Sequence, residues 1–137
     1  MRKTQTVLRY TFAILLIIVG CIGLYALLIP GYNPENVGIM LFGSVFRNLH
    51  NAIMLSYLGI LIRSIQLLAG ILLFTKKYWW LGLLIHLPLA INIMLIHLIH
   101  DIPPAHIGFF ASGMLVSILN FMLVFYEKDR LKQLVLQ

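Results

Sequence analysis

The chain has 137 residues, of which 61% are hydrophobic and only 10% charged, with a net charge of +6. Soluble domains are about a quarter charged, so this composition argues against a soluble enzyme and points to the membrane class. A membrane helix takes about 20 predominantly apolar residues. Residues 8–29, 52–75, 78–99 and 107–126 each meet that requirement, and together they make 1–137 a single integral membrane domain.

Arg2, Lys3 and Arg9, at the start of the first span, mark one membrane edge. Within it, "IVGC" at residues 18–21 resembles a lipoprotein cleavage box. The apolar run nevertheless continues through "IGLYALLIP", past the length of about 7–15 residues at which a signal's apolar region stops. A membrane helix is therefore expected, with Cys21, the only cysteine, as a small packing residue. "PGYNPEN" at 30–36 is turn chemistry. "VGIMLFGSVFRNLHN" at 37–51 is too broken by glycine and too polar at its end to span, and it reads as a short surface or re-entrant helix.

The second span holds Gly59, Arg63, Gln66 and Gly70 at helical spacing, one stripe on one face. "KKYWW" at 76–80 reads as a tight basic turn with an aromatic anchor at the headgroup level. The third span carries His86, Pro88, Asn92, His97 and His100, and "DIPPAH" at 101–106 ends it. The fourth aligns Gly113, Ser117 and Asn120.

Arg2, Lys3, Arg9, Lys76, Lys77, Lys128, Arg130 and Lys132, eight of the ten basic residues, fall on one side of these spans. The positive-inside rule makes that side the cytoplasm and puts both termini there. The basic charge is then topological, and no nucleic-acid partner is expected. Short connections make consecutive helices neighbours. The fold expected is an all-α membrane protein: a four-transmembrane-helix up-down bundle with the short surface or re-entrant helix between helices one and two.

Counting rise along each span sets the depth of its polar groups. Arg63 and Asn92 fall near mid-membrane, while Gln66, His86, Ser117 and Asn120 lie nearer the cytoplasm. His97, His100 and Asp101 gather at the outer mouth, where His50 of the surface helix could join them. Pro88 frees a backbone carbonyl near residue 84. No acidic residue lies within a span, so Arg63 has three readings. It binds carbonyls, Asn92 or Gln66 of its own chain; it meets an anionic or carbonyl-bearing ligand; or it meets a carboxylate of a partner subunit. For the histidines, hydration of the outer mouth is the plain reading, and proton exchange the functional one. A metal site is not expected, because His97, His100 and Asp101 within one turn are too few ligands.

"QLLAGILLFTKKYWWLGLLIHLPLAINIMLIHLIHD", residues 66–101, resembles the DoxX-like membrane proteins. The likeness rests on the glycine-containing apolar helix, the short basic turn, Pro88 four residues before Asn92, and the ending Asn92, Ile93, His97, Asp101. "FYEKDR" at 125–130 resembles the family's aromatic and charged tail. Members commonly carry glutamate where this chain has Gln66, which removes an acid–base group from that position. The resemblance implies a four-helix protein of the bacterial inner membrane. It also implies quinone-linked redox chemistry with soluble or membrane partners, since some relatives are subunits of thiosulfate:quinone oxidoreductases.

Two functions are expected to compete. One is a membrane subunit that binds a quinone or similar lipid-soluble ligand around Arg63 and Asn92, lined by Gln66, His86, Ser117 and Asn120. The other is a non-catalytic assembly or anchoring subunit that uses Arg63 and the glycine faces to bind a partner membrane protein. Either is compatible with oligomers.

Overall fold

A computed structural model of the chain describes residues 3–28, 56–100 and 107–135. The surface or re-entrant helix expected at 37–51 lies outside them, as do His50, Asp101 and His106. The described residues are 93% helical with no strand, which bears out the all-α expectation. In chain order the helices are α1 (Lys3–Leu28), α2 (Tyr57–Phe74), α3 (Trp79–His100), α4 (Ile107–Tyr126) and α5 (Lys128–Val135). α1, α2 and the Trp79–Ile99 part of α3 are long and apolar enough to cross a membrane, and the apolar Gly113–Tyr126 part of α4 is shorter.

Local chemistry sets the helix ends. Ser56 takes an extended conformation and its hydroxyl accepts from the Leu58 amide at 3.2 Å, capping α2. At the other end Thr75 both donates its hydroxyl to the Leu72 carbonyl (2.8 Å) and accepts from the Tyr78 amide (2.9 Å). That double contact folds residues 75–78 into the turn between α2 and α3, with Lys76 and Lys77 exposed.

Two expectations for this end of the molecule need correction. α1 starts at Lys3, so Arg9 lies inside the helix rather than ahead of it, and it is buried. Trp79, expected as part of the aromatic anchor, does not face outward. It is 1% exposed, in the core, with the Arg9 guanidinium 5.7 Å from its ring centre. The cause is that Arg9 shares a helix face with buried Phe12, Leu16 and Gly20, so the face that packs also carries the charge inward.

Packing follows from the pairs in contact. α1 lies against α2 and α4, α2 against α3, and α3 against α4. Tyr10 stacks on Phe74 (5.4 Å between centroids), Gly70 abuts Ala13 and Ile17, and Gly20 abuts Arg63 and Leu67. Positions rise on α1 as they fall on α2, so these two helices run in opposite directions. Between them the backbones nearly touch: a Cβ at Gly70 would lie 3.0 Å from the Ala13 carbonyl oxygen, and one at Gly20 would lie 2.9 Å from the Leu67 nitrogen. Small residues permit that approach, which matters because lipid leaves little hydrophobic drive between helices. The core itself is Phe12, Ala13, Leu16, Ala69, Leu73, Trp79, Leu83, Val116, Leu119 and Leu123.

Candidate functional site

On α2, Arg63 is half-buried and Gln66 is 3% exposed. The Arg63 Nη1 donates to the Gln66 Oε1 at 3.0 Å, so one of its bonds is made along its own helix. Across the seam stands Gly23 of α1, where any side chain would collide with the aliphatic part of Arg63 and with its Nε. The absence of a Cβ there gives the arginine its channel. Gly59, Gln66 and Gly70 are buried on the same stripe.

Asn92 does not join this group. It is exposed, and its Nδ2 donates to the carbonyl of Pro88 at 2.8 Å, four residues back on its own helix. The expected layer of Arg63 with Asn92 is thus not assembled inside the chain. Azimuth decides this. At about 100° per residue Asn92 sits opposite the face formed by Trp79, Leu83, His86, Ala90 and His97, all of them buried.

The polar contacts between helices lie on the α3–α4 seam. Ser117, fully buried, donates to the Ala90 carbonyl at 2.9 Å and lies 3.1 Å from the Gly113 carbonyl of its own helix. Asn120, also fully buried, places its Nδ2 3.4 Å from the Leu83 carbonyl and 3.1 Å from His86 Nδ1. The carbonyls engaged are those of Leu83 and Ala90, on either side of the residue 84 carbonyl expected from Pro88. His86 is fully buried and meets the Phe12 ring edge-on at 5.5 Å, so α1 closes the third side.

Proton placement follows from these partners. A carbonyl only accepts, so the amide nitrogen of Asn120 must be the atom that faces Leu83. Its second hydrogen then points at His86 Nδ1, which acts as acceptor and leaves the imidazole proton on Nε2. Two buried atoms remain without a protein hydrogen-bond partner: His86 Nε2, a donor, and Asn120 Oδ1, an acceptor. In a low-dielectric interior each such orphan costs about 1–3 kcal/mol. An acceptor beside His86 Nε2 and a donor beside Asn120 Oδ1 would satisfy them.

His97, expected among the groups of the outer mouth, is packed between helices. It is 4% exposed and packs its ring against Gly113 of α4, where any side chain would overlap it. The side chain of His100 lies outside the described residues, with His50 and Asp101. Cys21 is exposed rather than packed. Among the described residues no three His, Cys, Asp or Glu side chains come together as a metal site would require.

Two buried charges escaped the sequence reading. Arg9 is 5% exposed, with its guanidinium 4.6 Å from the Tyr10 ring centre, and Glu127 is 7% exposed at the corner between α4 and α5. The signal was present in the spacing. Glu127 continues the row of Val116, Asn120 and Leu123, as Arg9 precedes the row of Phe12, Leu16 and Gly20. Arg9 was expected at the membrane edge and Glu127 only as part of the charged tail after the fourth span.

The chain matches no known protein family, no curated protein and no solved structure.

Proposed function

We propose that this chain is a DoxX-like membrane subunit that binds a quinone or a similar lipid-soluble ligand at the α3–α4 seam. In this reading four helices span a bacterial inner membrane as an up-down bundle, with both termini in the cytoplasm. The observation that carries it is the orphaned pair on His86 and Asn120. The Nε2–H suits a carbonyl oxygen of the quinone, and the Oδ1 suits a hydroxyl of its reduced form. Such a ligand supplies two-electron, two-proton redox chemistry within the membrane. The chain's own part is to orient one oxygen, exclude water with Phe12, and keep the imidazole in one tautomer through Asn120. Arg63 and Gln66 form a second polar group on α2, and the electrons would come from a redox partner subunit or from the ligand itself.

The anchoring alternative loses part of its basis. Gly20 and Gly70 are taken up within the α1–α2 seam, and Gly82 packs against Ala69, Leu72 and Leu73 of α2. Those glycines are not presented to another protein.

Native mass spectrometry with lipid extraction, on protein purified in mild detergent, tests the reading. A quinone should accompany the wild type, vanish from His86→Phe and Asn120→Leu, and persist in Arg63→Ala. Loss from Arg63→Ala alone would move the ligand to α2. A wild type that carries no small molecule but retains a partner protein would overturn the reading in favour of an anchor.

A further inference from the structure

The outer face of α3 carries a polar group where lipid should be. Asn92 lies 13 residues into a helix that starts at Trp79, about 20 Å along it and near the middle of a bilayer. Polar side chains at that depth almost always face the interior of their bundle. This one is exposed and on the side away from the buried face. Its one hydrogen bond, to the Pro88 carbonyl, uses a single amide hydrogen. One N–H and the Oδ1 acceptor remain on this exposed side chain.

The neighbours make a continuous strip. Pro88, Asn92, Leu95 and Ile99 follow a spacing of four, three and four residues, and all are exposed, Leu95 at 43% and Ile99 at 67%. That is the spacing at which one helix seats against another. Ile91 and Leu98 flank the strip, at 40% and 42% exposure.

We propose that this strip is a self-association face, where α3 of one copy packs against α3 of a second copy about a two-fold axis. The remaining groups on Asn92 select the occupant. A carboxamide left with one donor and one acceptor is complementary to itself, so two copies related by a dyad can exchange a reciprocal pair of hydrogen bonds. A two-fold interface brings each residue near the axis against its own image. The proposal does not depend on the ligand reading, since the strip lies on the opposite side of α3 from His86.

Disulfide trapping in native membranes tests it, in a Cys21→Ser background. Leu95→Cys should give a covalent dimer on mild oxidation, and Ile71→Cys, exposed on α2, should not. Adding Asn92→Leu should weaken dimerisation roughly tenfold, read as energy transfer between labelled copies across a lipid dilution series, while Asn92→Gln should restore most of it. Asn92 is exposed, so the thermal unfolding of the monomer should stay near wild type and separate lost association from lost fold. Three outcomes would overturn the proposal. They are a monomer at every lipid ratio, a dimer indifferent to Asn92→Leu, and a Leu95→Cys adduct with a different protein.

Discussion

Where α1 meets α2 the backbones come within touching distance; where α3 meets α4 the side chains reach across to carbonyls. The first seam is closed by glycine: Gly20 and Gly70 leave no room for even a methyl group. The second is closed by Ser117 on the Ala90 carbonyl and by Asn120 on Leu83 and His86. Both solve one problem, holding apolar helices together in a solvent as apolar as themselves. They differ in the means. The first seam is backbone against backbone, whereas the second is made by side chains and keeps a donor of His86 and an acceptor of Asn120 buried. Under the proposed function, those two atoms are the ones that meet the polar end of the ligand.

The contrast can be broken from either side. Gly70→Leu should do the most damage, because the new side chain meets the Ala13 carbonyl and Ile17 with no flexible neighbour to yield. A loss of at least about 3 kcal/mol is expected, seen as a lower melting temperature in detergent and loss of the monodisperse peak. Asn120→Leu should cost about 1–2 kcal/mol in the same assay and should also abolish retention of the ligand, which Gly70→Leu variants that still fold would keep. Ser117→Ala, which removes one hydroxyl bond to Ala90 and leaves the packing intact, should cost about 0.6 kcal/mol and leave ligand retention unchanged. If Ser117→Ala instead matched Asn120→Leu in both assays, the α3–α4 seam would be one cooperative network.

The sequence revealed depth better than direction. Counting rise put His86 and Asn120 at one level, and they are in hydrogen-bond contact. The three-residue spacing of Arg63 and Gln66 gave their mutual bond. The same count put Asn92 level with Arg63, but level residues meet only if their helices turn them together, and Asn92 faces outward. Its angle from His86 was readable. What was not readable was which face of α3 would be buried, because its apolar residues surround the helix and its polar ones lie on more than one side, so its interior is chosen by its neighbours. The terminal residues failed for a related reason. Arg9 and Trp79 look like interface residues by composition, and only the packed structure, with the Arg9 guanidinium 5.7 Å from the Trp79 ring centre, shows them inside.

The most direct test of the α3–α4 site is the nitrogen NMR signature of His86 in lipid, with histidine labelled and the resonance identified by its loss in His86→Phe. The hydrogen bond from Asn120 requires the proton on Nε2 with Nδ1 as acceptor. Addition of a short-chain quinone should shift the Nε2 resonance and leave Nδ1 nearly still. A proton found on Nδ1, or an Nε2 resonance that does not move at saturating quinone, would contradict both the geometry and the function built on it.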